Sequence, residues 1–216
     1  MGMRERGRTP EERIADKLLV LYTIADAGTG VGDTVLQKLT FLASNEMRVQ
    51  GVKGFNYAYI KLDFGPYSSD LVKDVEDLEK TNAITSFSHG VGNMGHYILK
   101  HFSHVFDENP EFVKKIQRVN KKYSKIPRDE LVHIVHEMRN PLRPFEKIID
   151  TREKSYILKR PKSWSKESEF IISDQDMASL EILLNPKNLH ALSKSIHDAR
   201  SKPSVTLSEV LERVRN

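Results

Sequence analysis

The sequence predicts a mainly α-helical protein with a small β component. Three observations carry this. Apolar residues recur at spacings of three and four along most of the chain. One aromatic-rich run, FNYAYIKLDF at 55–64, partly alternates. Capping and breaking residues divide the rest into short segments.

The elements can be taken in order. A first helix begins at Thr9-Pro10-Glu11-Glu12, where Thr9 caps, Pro10 suits the first helical position and Glu12 completes a capping box. Ile14, Leu18, Leu21, Tyr22 and Ala25 mark one face, and Gly28 and Gly30 end it. Asp33 starts a second helix carrying Leu36, Leu39, Phe41, Leu42 and Met47. Residues 55–64 read as a strand that Gly65-Pro66 breaks. Ser68 or Ser69 starts a third helix with Leu71, Val75 and Leu78 inward. ITSFSH and HYILKHF, on either side of a glycine-rich turn at 90–95, read as a hairpin. Three helices and a hairpin give the order of a winged helix-turn-helix domain, interrupted here by a strand and a longer loop.

Two more helices are expected at 110–123 and 128–139, separated by Pro127. Asn140-Pro141 and Arg143-Pro144 then stop the regularity. Three regions result: a winged-helix-like domain at 1–140, a basic connector at 141–170, and a helical C-terminal arm at 171–216. Within the connector, Tyr156-Ile157-Leu158 is a candidate strand. In the arm, Ser173-Asp174-Gln175-Asp176 starts a helix with Met177, Leu180, Leu183 and Leu184 on one face. Asn185-Pro186 breaks and restarts it, and Leu189, Leu192, Ile196 and Ala199 continue. Thr206, with Glu209 at the reciprocal position, starts a last short helix bearing Val210 and Leu211.

Composition narrows the function classes. A chain of 216 residues suits one sizeable domain, or a domain with an appendage. With no cysteine, disulfides, thiolate catalysis and cysteine-based zinc or iron–sulfur sites are excluded. The charged start carries no apolar stretch of signal-peptide length and no run approaches a membrane span, so a cytoplasmic, non-membrane protein is expected. GTGVGD at 28–33 and GVGNMG at 90–95 lack the lysine-serine/threonine ending of a phosphate loop and the dinucleotide spacing; turns explain both. The histidine pairs 101/104 and 133/136 supply no recognised ligand set. No constellation pairs a nucleophile with a base, so neither an enzyme nor a cofactor is expected.

Charge is unevenly spread. The third helix, which in a winged-helix protein would read DNA, holds five carboxylates against two lysines, and phosphate repulsion opposes its docking. Basic residues cluster elsewhere: Lys114, Lys115, Arg118, Lys121 and Lys122 along 110–123, and Lys159 and Arg160 in the connector. These are candidate nucleic-acid contacts or, equally, a solvated helix face and linker. Trp164 is either an anchor beside them or a local packing residue.

Two resemblances add to this reading. QKLTFLA at 37–43, the aromatic strand, FGPYSSDL at 64–71 and the helix ending EKTNAI together resemble the Panacea antitoxin domain, also described as phage-associated or SocA-like, over about 14–140. Lys38-Leu39 and Gly65-Pro66 match that family's lysine-leucine pair and glycine-proline turn. The tryptophan frequent before the turn is absent, with Lys61-Leu62-Asp63-Phe64 in its place. Residues 171–216 resemble the toxin-wrapping region of type II antitoxins of the Phd/YefM and RelB kind. The matching pieces are Ser173-Asp174, the leucines at 180–184, Ala199-Arg200 and the Thr206–Leu211 stretch. Lys202-Pro203-Ser204 stands where a glycine is usual.

The resemblances imply an antitoxin that neutralises a protein toxin encoded nearby, by resemblance a RelE-like messenger RNA nuclease. The expected anchors are Leu180, Leu184, Leu189, Leu192, Ile196, Val210 and Leu211, with Arg200 making a directed ionic contact. The alternative is a winged-helix DNA-binding transcriptional regulator. Its partners would be operator DNA and, as a homodimer, a second copy of the chain.

Overall fold

The structure is a computed structural model that describes residues 7–28, 30–86, 88–161 and 169–201. Helix α1 (Pro10–Ala27) starts at the expected capping box. The Thr9 hydroxyl accepts from the Glu12 amide at 3.2 Å, and the Thr9 amide donates to the Glu12 carboxylate at 3.0 Å. Leu18, Leu19, Val20, Leu21 and Ile24 are all fully buried, so α1 is apolar round most of its circumference. Such a helix belongs at the centre. Around it pack α2 (Asp33–Val49), α3 (Ser69–Lys80), α4 (Asn93–His101), α6 (Pro110–Tyr123) and α8 (Asp174–Leu183).

The described β component is small and open. Strands β1 (Tyr59–Leu62) and β2 (Gly65–Tyr67) form a tight antiparallel hairpin, with Ile60 opposite Tyr67 and Leu62 opposite Gly65. Gly65 has φ +88°, and a side chain there would press on the His136 ring. Two neighbours on α2 hold this turn. The Gln37 amide donates to the Ser68 carbonyl at 3.1 Å and accepts from the Ser68 amide at 2.9 Å, while Lys38 Nζ donates to the Pro66 carbonyl at 3.0 Å. QKL and FGP, far apart in sequence, therefore meet as one turn-anchoring device. Burial lowers the Lys38 pKa to about 8.

Two expectations are corrected. The segment 93–102 is not the second strand of a hairpin but α4, and the short α5 (Ser103–Asp107) follows it. Among the described residues, a single bridge between Ile84 and Val91 remains of the expected pairing. The helical spacing of Met94, Ile98, Phe102 and Val105 prevails, because that stripe packs into the core while the alternating set does not. Gly95 permits it, since a side chain there would strike the Ala83 carbonyl and Leu21.

The second correction concerns 141–170, which is built into the body over its described part. Beyond α7 (Arg128–Glu137), β3 (Arg139–Asn140) and β4 (Arg143–Lys147) pair, with Asn140 opposite Arg143. Strand β5 (Tyr156–Leu158), the candidate strand, joins the other edge of β1, giving the order β2-β1-β5. Ile148, Ile157 and Leu158 enter the common core. Lys162, Trp164 and Lys166 lie outside the described residues. No helix among the described residues is long and apolar enough to cross a membrane.

Candidate functional site

Helix α3 carries two parallel stripes one residue out of step. Leu71, Val75 and Leu78 form the buried apolar stripe. Beside it run Asp70, Asp74 and Asp77, at the same spacing of four and three. Each of these acids meets a cation from another segment: Arg160 on Asp70, Arg8 on Asp74, and Lys17 on Asp77 at 2.7 Å.

The middle pair is the most enclosed. The Arg8 guanidinium also donates to Asp16 at 2.8 Å and lies over the Tyr57 ring at 5.1 Å. The Tyr57 hydroxyl donates to Asp74 at 2.7 Å, and the Asn56 amide donates to Asp16 at 2.7 Å. Burial opposes the Arg8 charge. The bond to Asp74 and the field of Asp16 outweigh it and hold the guanidinium above its ordinary value. Burial lifts the Asp16 carboxyl to about 7 against the pull of Arg8, and raises Asp74 in the same way. Burial, then the nearby Asp74 charge, raises the Tyr57 phenol well above its usual range. The network joins residues 7–9, α1, the approach to β1, α3 and the stretch after β5. Its charges are consumed by one another, which suits a lock better than proton transfer. No cluster among the described residues could hold a metal ion.

The C-terminal arm is rooted in this lock. Phe170 donates its amide to the Lys53 carbonyl at 3.1 Å, and Asn109 bonds both backbone groups of Ile171 at 2.8 Å. Ser173 then caps α8, its hydroxyl accepting from the Asp176 amide, and Asp176 reaches back to His104 at 3.0 Å. That bond favours the charged imidazole and raises the His104 pKa. At the far end Lys17 Nζ donates to the Leu184 carbonyl at 3.0 Å. A lysine thus satisfies a terminal helix carbonyl that would otherwise lack a partner.

The expected anchors fall into groups. Leu180 and Leu184 are 0% and 1% exposed and belong to the common core, so as partner contacts they are corrected: they seat α8 on its own body. Helix α9 (Pro186–Ser201) restarts at Pro186, packs against α8 and α3, and is exposed over most of its described length beyond Leu189. Leu189 is half-buried, Leu192 and Ile196 are 42% and 43% exposed, and Arg200 is exposed. Val210 and Leu211 lie outside the described residues.

The basic candidates also divide. Lys114, Arg118, Lys121 and Lys122 occupy the solvent face of α6, with Arg118 paired to Glu46 at 2.7 Å. Lys159 is exposed. Lys115 is buried and donates to the Glu111 carbonyl, and Arg160 is engaged by Asp70 and the Asn56 carbonyl. These two are corrected as phosphate contacts, because their charges point into the protein.

Sequence reasoning missed Arg8, Asp16, Lys17, Tyr57 and Asp74. The one available signal was the acidic triplet directly beside an apolar stripe on α3. No protein-family model matches the chain, and neither does any curated protein or solved structure.

Proposed function

We propose that this chain is an antitoxin of a type II toxin–antitoxin system that neutralises a protein toxin by direct binding through its C-terminal arm. The observation that carries the reading is α9: a helix rooted on the body whose stripe of Leu189, Leu192 and Ile196 turns largely to water, with Arg200 beyond it. Such a stripe fits an amphipathic helix that lies in a partner's apolar groove. The resemblances to the Panacea domain and to the toxin-wrapping region of the Phd/YefM and RelB antitoxins support the same role, with a RelE-like nuclease as the toxin. On this reading Val210 and Leu211 extend the contact, while Leu180 and Leu184 root the arm.

The test is coexpression with the protein encoded beside this one. Ending the chain after Asn185 keeps Leu180 and Leu184 and removes α9. The full chain restores growth, and the shortened chain folds but does not. Growth restored by the shortened chain would refute toxin binding through the arm.

A second reading has its own observation. Lys114, Arg118, Lys121 and Lys122 share one solvent face of α6, as a phosphate-tracking surface would require. Repression of its own operon would combine both roles. Operator binding that weakens steeply with salt, and is lost when these four become alanine, supports it; no binding at low salt refutes it.

A further inference from the structure

Between α1, α3 and the first turn of α9 lies an open cleft of about 690 Å³. Its volume falls in the range of small-molecule sites. Seven basic and four acidic residues line it. All four acids are already matched: Asp70, Asp74 and Asp77 by the lock, and Glu76 by Lys80 at 3.8 Å. Arg13, Lys73 and Lys187 remain. They are exposed, line the same cleft from α1, α3 and α9, and have no carboxylate partner among the described residues.

Three like charges brought to one cleft by separate helices repel one another, and the low-dielectric wall behind them strengthens that repulsion. A multiply charged anion between them reverses its sign. Arginine supplies a fork matched to phosphate oxygens, and the lysines add point charges that can follow a phosphate chain.

We propose that this cleft binds a small phosphate-bearing anion, of nucleotide size or less, and that Arg13, Lys73 and Lys187 hold it. A duplex backbone suits the place less well, because a long polyanion would have to pass the exposed Glu76 of α3. Binding ties the first turn of α9, through Lys187, to α1 and α3, and so stiffens the start of the arm. The inference stands whether or not the arm binds a toxin.

The experiment uses the full chain at low salt, with pyrophosphate and ATP as probes in titration calorimetry and amide hydrogen exchange. Three proteins are compared: wild type, Arg13→Ala/Lys73→Ala/Lys187→Ala, and Arg48→Ala/Lys100→Ala/Arg152→Ala, which loses the same charge from exposed positions outside the cleft and outside α6. Matching melting temperatures establish that all three fold. Wild type binds one equivalent saturably, and exchange slows at the start of α9. The cleft variant weakens by at least about tenfold, the scale of lost charge-assisted hydrogen bonds. The control variant is unchanged. Equal affinity for both probes identifies the phosphate chain as the recognised group, and tighter ATP binding identifies a nucleotide. No saturation at millimolar pyrophosphate, or equal losses in both variants, overturns the proposal. So does a duplex oligonucleotide that binds more tightly than either probe and is lost with the cleft residues.

Discussion

Leu180→Ala and Leu192→Ala delete the same atoms from consecutive helices, and the structure assigns them opposite consequences. Leu180 is fully buried among the core side chains, whereas Leu192 is 42% exposed. Truncating a buried leucine loses its transfer free energy and leaves a cavity, at a cost of about 2–5 kcal/mol. Leu184→Ala falls in the same class, since Leu184 is 1% exposed. At Leu192 little enclosed volume is lost and alanine is the better helix former, so the change stays within about 0.5 kcal/mol. Ile196→Ala behaves likewise, with its side chain 43% exposed.

Urea unfolding separates the two groups. With a denaturant slope of about 2–3 kcal/mol per molar for a chain of this size, the α8 variants lose roughly 1–2 M of midpoint and the α9 variants almost nothing. On the proposed antitoxin reading, toxin capture runs in the opposite order: Leu192→Ala and Ile196→Ala lose it, while Leu180→Ala keeps it at temperatures where it remains folded. A midpoint loss at Leu192 as large as that at Leu180 would show α9 packed in the free chain and remove the open stripe from the argument. A loss below about 0.5 kcal/mol at Leu180 would refute the seating of α8.

Arg8→Gln strands Asp16 and Asp74 without their cation and costs about 3–5 kcal/mol near neutral pH. Burial already raises both carboxyls, so the folded variant binds the more protons and its deficit shrinks as pH falls; a deficit that grows toward acid contradicts the network. Lys17→Met removes the cap on the Leu184 carbonyl and the Asp77 pair, for about 1–2 kcal/mol after allowing for the half-open Asp77, and limited proteolysis should then cut first near 185–190. For Lys38, with a pKa near 8 folded against 10.5 as the ordinary value, the unfolded chain holds the extra proton between those limits, so wild-type stability rises with pH across that window. Relative to Lys38→Met the gain approaches about 3 kcal/mol by pH 10.5, and denaturation curves in which the two proteins stay parallel across the window would contradict the buried lysine.

What the sequence disclosed was the local part of the fold. The Thr9–Glu12 box, the Ser173 cap and the restart at Pro186 each act within a few residues, and each sits where expected. Residues 93–101 were misread because a short apolar run beside glycines satisfies both periods, and only the packing of Gly95 against Ala83 and Leu21 selects the helix. The arm divides for a related reason. Leu180/Leu184 and Leu189/Leu192/Ile196 form the same kind of stripe, and spacing records that a stripe exists without recording what covers it. The difference is made by distant groups: Lys17 on the Leu184 carbonyl and Asn109 on Ile171 bring α8 onto the body, whereas Leu192 and Ile196 of α9 stay largely exposed.

The acidic third helix gains a different meaning from the same logic. Counted as formal charge, its five carboxylates oppose a nucleic-acid surface. Three of them, however, are engaged by Arg160, Arg8 and Lys17, and the half-buried Glu79 lies 3.6 Å from His89, so the helix presents mainly Glu76 outward. Net charge along a helix therefore overstates the field it shows to a ligand whenever one stripe is matched from within. The acids on α3 instead fix the N-terminal segment, the strand edge and the root of the arm against one helix. That arrangement makes the direction in which α9 leaves the body a property of the core. An arm launched from a fixed root loses less freedom on meeting a partner than one hanging from a loose connector.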